Sequence, residues 1–134
     1  MKVSGEVAIA LELAETTVPF ARSMEGEAER WLRVIRRMER AGDALSELGV
    51  ADGPLESPAE ARIAYEGGRD SIPLVAERAE MYARGRGGRV VGSIDLLFGV
   101  LSVYGKDFSK ALYRRGVTRE ELLEHLARQV PQYH

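Results

Sequence analysis

Apolar residues recur every three or four positions along most of this chain, which is the spacing of one buried face of an α-helix. The first stripe predicts a helix over about residues 5–22, which Pro19 should end or bend late. No stretch alternates for a useful length as a strand would, so the expected fold class is all-α. Three stripes carry this prediction: Val7, Leu11, Ala14, Val18 and Ala21; Trp31, Leu32, Val34, Ile35 and Met38; and Leu74, Val75, Ala79, Tyr82 and Ala83.

Glycines mark the ends of two short helices. Gly49 should close a helix over 41–48, and Gly116 should close one over 108–115. Glycine suits this position because the residue after a helix commonly adopts a positive φ, which costs glycine nothing sterically. Both helices are therefore predicted to stop sharply.

Capping residues mark the beginnings of three more helices. A nearly apolar helix is predicted over 93–104 with Ser93 as its cap, and a further helix is predicted to start at Ser57. Thr118 followed by Glu121 predicts a capping box at the start of the last helix.

An internal repeat is the most informative feature of the chain. The segment Ala44-Leu45-Ser46-Glu47-Leu48-Gly49-Val50 has the spacing of Ala111-Leu112-Tyr113-Arg114-Arg115-Gly116-Val117, which lies 67 residues later. We therefore expect two tandem four-helix repeats, about 4–56 and about 58–130, packed about a pseudo-two-fold axis as one eight-helix domain over 1–134. Upstream matches lie 65 residues apart: Glu12-Leu13-Ala14-Glu15 with Glu77-Arg78-Ala79-Glu80, Leu32 with Leu97, and Ile35 with Val100.

Length, charge and composition narrow the classes of protein. A chain of 134 residues is enough for one domain, and 45% hydrophobic with 30% charged residues is a globular balance. A net charge of -2 argues against binding to nucleic acid or to a membrane through bulk charge. The absence of cysteine excludes disulfides, thiolate metal sites and cysteine nucleophiles. Neither a signal peptide nor a membrane-length apolar run is apparent, so we expect a cytoplasmic protein.

Catalytic chemistry finds little support in the sequence. The chain has only two histidines, His125 and His134, and neither stands near carboxylates at the spacing of metal ligands. No nucleophile elbow and no P-loop spacing preceded by a strand is present. We therefore expect no enzyme activity, no metal and no cofactor.

One segment of the second half resembles a known protein family. Val91-Gly92-Ser93, followed by Leu96-Leu97-Phe98-Gly99-Val100, is similar to the V-G-T-E-H and L-L-G-L run in the N-terminal domain of the Clp AAA+ unfoldases. The preceding Ala79-Glu80 with Ala83-Arg84 and Gly87 also fits. The resemblance spans about residues 4–128 and is stronger in the second half than in the first.

The resemblance implies a non-catalytic module that binds protein clients or adaptor proteins for an ATP-dependent unfoldase and protease system. Clp ATPase or protease subunits are further candidate partners, and the isolated domain should be a monomer. Such a module is either the head of a longer unfoldase or a free-standing homologue. The sequence leaves both open.

The resemblance also implies where ligands would bind. In some members the acid of the T-E-H segment helps to recognise phosphoarginine, but Ile94 stands at that position in the second repeat. Asp95 stands one position later, and Glu27 or Glu29 occupies the place in the first repeat. An acid near a helix start is also good capping chemistry without any ligand. The candidate protein-binding residues are Glu27, Glu29, Ser93, Ile94, Asp95, Tyr104 and Phe108.

Large apolar residues in the second half have two interpretations. Ile94, Tyr104, Phe108 and Tyr113 exceed what a small helical core needs, and some of them would suit a groove for an unfolded segment or an adaptor helix. Alternatively, they pack between the two repeats.

Arginine clusters provide the rival hypothesis. Arg84, Arg86 and Arg89, spread among glycines at 84–89, would suit the phosphates of a nucleic acid, which would make the chain a small helical regulator. A second cluster of arginines lies on the second predicted helix. It would suit an acidic partner, or else it pairs with Glu29 and Glu39 on a solvated face. That cluster is Arg33, Arg36, Arg37 and Arg40.

Overall fold

A computed structural model describes residues 1–51 and 71–129 of the chain. The described part is mostly helical, which confirms the all-α class, and it contains one pair of two-residue strands. The helix predicted to start at Ser57 lies outside the described residues. The elements are β1 (Lys2–Val3), α1 (Gly5–Thr17), a 3-10 turn (Val18–Phe20), α2 (Met24–Arg36), α3 (Ala41–Glu47), α4 (Ser71–Gly85), β2 (Val90–Val91), α5 (Ser93–Tyr104), α6 (Lys106–Arg114) and α7 (Arg119–Gln129).

A serine and a proline set the bounds of α1 and of the 3-10 turn that follows it. The Ser4 hydroxyl accepts from the backbone N–H of Val7 at 3.1 Å and starts α1. The predicted helix over 5–22 ends as an α-helix at residue 17 and continues as a 3-10 turn containing Pro19. Proline cannot supply the amide hydrogen that another α-helical turn would need, so the late interruption predicted from the sequence is confirmed.

The glycine closures of α3 and α6 are confirmed. Gly49 has φ +90° and Gly116 has φ +80°, both in the left-handed region. The N–H of the residue after each glycine donates to a carbonyl in the last helical turn. Val50 donates to Leu45, and Val117 donates to Leu112.

The capping prediction is right for α7 and wrong for α5. The Thr118 hydroxyl accepts from the N–H of Glu121 at 3.1 Å, and the Glu121 carboxylate accepts from Thr118. At α5 the cap residue is Gly92, whose N–H donates to the Asp95 carboxylate at 2.8 Å. Ser93 is therefore not the cap, because its hydroxyl bonds the loop before α3 instead.

The core lies around α2 and α5. α2 contacts α1, α3, α5 and α6, and Trp31 on it is fully buried. Ile94, Tyr104 and Phe108 are also buried, at 1%, 3% and 0% exposed, so the groove interpretation is wrong for these three residues. They fill the space between helices, where apolar burial contributes most.

Helices α4 and α5 pack closely along their length. A Cβ on Gly99 would lie 2.7 Å from the Val75 carbonyl oxygen, so only glycine allows this approach. At one end, Lys2 and Val3 pair in parallel with Val90 and Val91 and hold the N-terminus beside the loop that leads into α5.

Candidate functional site

A groove of about 440 Å³ opens between α4 and α5 and has the size of a ligand pocket. The lining residues are Arg78, Met81, Tyr82, Gly85, Arg86, Asp95, Phe98 and Ser102.

The walls of the groove are apolar and partly exposed. The rings of Tyr82 and Phe98 stack with their centroids 5.0 Å apart. Met81 is 55% exposed and Tyr82 is 43% exposed, which is high for side chains of this kind. The groove therefore offers an aromatic shelf and a flexible thioether to whatever enters it.

An ion pair closes one end of the groove. Arg86 donates to the two oxygens of Asp95 at 2.9 and 2.6 Å, and the Asp95 side chain is only 1% exposed. The same carboxylate also caps α5 through Gly92. Asp95 is thus satisfied within its own chain, so a ligand's guanidinium would have to displace Arg86 to reach it.

A second arginine of the groove, unlike Arg86, has no carboxylate partner among the described residues. Arg78 is exposed and makes no ion pair with any described residue. An acidic group of a ligand could pair with it without displacing a described residue.

Glu29, predicted as an acceptor, is engaged elsewhere. Arg115 donates to its two oxygens at 2.8 and 2.9 Å, and the Arg115 side chain is only 2% exposed. This pair joins α2 to the end of α6. Such a two-pronged, mostly buried pair fixes the packing of the two elements and leaves no acid for a ligand.

Glu27 is buried in a polar cluster within the core. Its Oε1 accepts from the Tyr104 hydroxyl at 2.8 Å and from the Ser71 hydroxyl at 3.2 Å, and Trp31 Nε1 donates to the Tyr104 oxygen at 3.1 Å. Glu27 Oε2 is buried and has no partner. Burial, together with the hydrogen bond to Glu27 and its charge, raises the pKa of Tyr104 well above its ordinary value.

The seven predicted site residues do not form one site. Asp95 alone among them lines the groove. The Ser93 hydroxyl donates to the Glu39 carbonyl at 2.8 Å and accepts from the N–H of Ala41 at 3.3 Å, which ties α5 to the loop before α3. The other five lie in the core or in the α2–α6 contact, and none of them faces the groove.

The groove residues Met81 and Phe98 are not among the residues that the sequence predicts for a site, and Tyr82 belongs only to a predicted apolar stripe. A usable signal was present, because Met81 and Tyr82 are adjacent on a helix that already has a complete buried stripe. One of two adjacent helical residues must then face away from the core.

The glycine-rich loop is less available than its sequence indicates. Arg84 pairs with Glu80 at 2.5 Å, and Arg86 is held by Asp95. Arg89 is exposed. Two of the three arginines proposed for phosphates are therefore already paired.

The described residues offer neither a metal site nor a membrane-spanning helix. Among residues 1–51 and 71–129, no group of three or more His, Asp or Glu side chains could hold a metal ion. In the same ranges, no helix is both long enough and apolar enough to cross a bilayer. His125 contacts Glu47 at 2.8 Å and joins α7 to α3.

Comparison with known proteins gave no match to a family model, to a curated protein or to a solved structure.

Proposed function

We propose that this chain is a non-catalytic protein-recognition module, similar in kind to the N-terminal domain of the Clp unfoldases, that binds unfolded segments of protein clients in the α4–α5 groove. The observation that carries the proposal is the groove itself, with its exposed Met81, the Tyr82–Phe98 stack and the ion-paired end. Energy conversion would belong to an ATPase that receives the client.

Matching helix ends support the two-repeat architecture that the proposal includes. Leu45 and Leu112 each accept from a valine five positions later, across a glycine at positive φ. The two closures lie 67 positions apart, which is the spacing of the sequence repeat. This closure is a common way for a helix to end, so the support comes from its recurrence at the spacing of the sequence repeat.

A second pair of positions supports the repeat at the other end of these helices. Arg40, before α3, has φ +55° and ψ -71°, and Gly105, before α6, has φ +49° and ψ -109°. A positive φ is unusual for arginine and ordinary for glycine. We propose that the first repeat keeps a backbone turn whose natural residue is the glycine of the second, within an eight-helix domain.

The chemistry of the groove favours an unfolded segment over a small metabolite. Its polar atoms are few, and the closing ion pair is already satisfied, so it lacks the converging donors that orient a small ligand. Methionine and stacked aromatic rings adapt to many apolar side chains, which suits clients of varied sequence. Arg78 would hold an acidic group at the rim of the groove.

The nucleic-acid alternative has less support, because Arg84 and Arg86 pair with acids of their own chain. A phosphate would have to compete with these carboxylates. The net charge of -2 provides no compensating field.

Binding to an unfolded protein tests the proposal. The probe is fluorescein-labelled lysozyme with its cysteines reduced and blocked, which is permanently unfolded and basic, and the readout is fluorescence anisotropy. Tyr82→Ala should weaken binding about tenfold, because it removes the aromatic shelf. Tyr113→Ala is the matched control, since Tyr113 is 74% exposed but lies outside the groove. No binding by the wild-type chain, or equal loss in both variants, would contradict the proposal.

Handover requires a separate experiment. The full chain is fused to a Clp ATPase from which the native N-terminal domain has been removed, and degradation of the same unfolded lysozyme is followed with the cognate protease. The fusion should degrade the client faster than the truncated ATPase, and the gain should be lost with Tyr82→Ala. A client that binds the chain but is degraded no faster would contradict handover while leaving recognition intact.

A further inference from the structure

The C-terminal half of α2 carries a strongly basic surface that is separate from the α4–α5 groove. Arg30, Arg33 and Arg36 follow one another at three-residue spacing, and none of them forms an ion pair with a described residue. The sequence offers Glu29 and Glu39 as their partners. Glu29 binds Arg115 instead, and no ion pair among the described residues joins Glu39 to these three arginines. The surface is therefore positive in a chain whose net charge is -2.

A small cleft between α1 and α2 opens on this surface. It has a volume of about 140 Å³ and is lined by Leu13, Thr17, Arg30, Arg33, Val34 and Arg37. Arg30 is fixed across it, donating to the Thr17 carbonyl at 2.6 Å. Arg33 Nε is buried and has no hydrogen-bond partner, although a buried donor ordinarily has one. The cleft is thus lined by a fixed arginine, Arg30, and by a second arginine, Arg33, whose Nε has no partner inside the protein.

The floor of the cleft is apolar. Val34 is 8% exposed, and Leu13 is 42% exposed at the mouth of the cleft. The volume is too small for a ligand bound by this cleft alone, but it admits the end of one acidic side chain together with an aliphatic neighbour. Such a contact belongs to a longer chain that runs over the surface.

We propose that this cleft, the α1–α2 arginine cleft, docks an acidic peptide segment of a partner protein, with a carboxylate on Arg33 and an adjacent aliphatic side chain against Leu13. Charge complementarity selects the acidic occupant, because Arg30 and Arg33, which make no ion pair with a described residue, flank an apolar floor. Nucleic acid fits less well, because a phosphate backbone carries no aliphatic group to cover the apolar surface of Val34 and Leu13.

This docking surface is independent of the proposed groove. A client could occupy the groove while an acidic adaptor segment occupies the cleft. The two functions can be separated by variant, since no described residue lines both sites.

The test uses a fluorescein-labelled synthetic peptide of repeating Glu-Glu-Leu, with anisotropy as the readout. Arg33→Gln should weaken binding about tenfold. Arg89→Gln removes the same charge from an exposed arginine outside the cleft and should change binding by less than about twofold. Leu13→Glu keeps every arginine but places a competing carboxylate at the mouth of the cleft, and it should also weaken binding. Circular dichroism melting checks that each variant is folded.

Three further measurements show which kind of ligand occupies the α1–α2 arginine cleft. A Gln-Gln-Leu peptide should bind at least about tenfold more weakly, and a labelled oligothymidylate should bind more weakly than the acidic peptide at the same salt concentration. Tyr82→Ala should leave binding of the acidic peptide unchanged, so that failure of the groove and failure of the cleft are distinguishable. Equal loss with Arg33→Gln and Arg89→Gln, or tighter binding of the oligothymidylate, would overturn the proposal.

Discussion

At the scale of single residues, acids that the sequence offers to a ligand are used inside the molecule. Asp95 binds Arg86, Glu29 binds Arg115, and Glu27 lies in the core with Tyr104. Sequence spacing can place an acid near the start of a helix. It does not show which arginine of another element will pair with that acid. Asp95 is the case in point, because its partner comes from the glycine-rich loop.

Two arginines of that loop should differ sharply in their effect on stability. Arg86→Gln leaves the nearly buried Asp95 carboxylate without its charged partner and should lower the free energy of unfolding by about 2 kcal/mol or more. Arg84→Gln breaks a surface pair with Glu80 and should cost less than about 0.5 kcal/mol. Urea unfolding of both variants measures the difference. Similar values for the two would show that Asp95 does not depend on Arg86.

Removing the Tyr104 hydroxyl from the buried polar cluster should lower the free energy of unfolding at pH 7. Tyr104→Phe leaves Trp31 Nε1 and Glu27 Oε1 without that hydroxyl, which should cost about 1–3 kcal/mol. Tyr113→Phe, at an exposed tyrosine, is the control and should change little. Thermal or urea unfolding gives the values, and equal stability of the two variants would contradict the role assigned to the cluster.

The same cluster predicts an alkaline transition. The folded pKa of Tyr104 lies above the ordinary 10.0, so above that pH the unfolded chain loses a proton that the folded chain retains. The stabilising contribution is complete below pH 10 and is lost as the pH rises toward the folded value, by up to about 1.4 kcal/mol per pH unit. Tyr104→Phe lacks this contribution, so its deficit relative to the wild type should shrink above pH 10. A deficit that stays constant from about pH 9 to 11 would contradict this linkage.

At the level of elements, apolar spacing predicted the helices α1, α2 and α4, although Leu74 and Tyr82 of the predicted α4 stripe are 39% and 43% exposed. The end of α3 at Gly49 and the capping box at Thr118 follow from local chemistry that is written in adjacent residues. The cap of α5 did not follow, since the Ser93 hydroxyl prefers the Glu39 carbonyl on a distant loop. Local patterns therefore fix where a helix runs, and tertiary contacts decide which side chain closes it.

The two turns that precede α3 and α6 give a prediction at this scale. Arg40→Gly should raise the free energy of unfolding by about 0.5–1 kcal/mol, because the relief of a strained φ exceeds the added chain entropy of glycine. Gly105→Ala should lower it by about 1–3 kcal/mol through strain alone, since no atom lies within 4 Å of the new Cβ.

Gly5→Ala is the control, at an uncrowded glycine without a positive φ. Chemical denaturation of the three variants decides the matter. A destabilising Arg40→Gly would mean that the Arg40 side chain outweighs the strain of its backbone.

At the scale of the whole molecule, the sequence predicts the class of fold but not the surface that carries function. Ile94 and Phe108 look like excess apolar residues in the sequence and prove to be core, whereas Met81 and Phe98 line the groove. Which apolar side chains remain outside depends on how the helices pack against one another, and no local pattern encodes that packing.

Two separate surfaces follow from this packing. The apolar α4–α5 groove suits an unfolded client, and the α1–α2 arginine cleft suits an acidic partner segment. We expect the isolated domain to be a monomer, because a recognition groove covered by a second copy could not receive a client. Light scattering at micromolar concentration measures this, and a stable dimer would contradict it.

The most direct test of the central claim is to map where an unfolded segment binds. Amide chemical shifts of the isotope-labelled chain are followed while a short peptide rich in Phe and Leu, without acidic residues, is added. If the α4–α5 groove binds the peptide, the largest changes in chemical shift should fall on residues 78–86 and 95–102 of α4 and α5. These changes should disappear in Tyr82→Ala. Changes centred on α6 and α7, or none at saturating peptide, would contradict it.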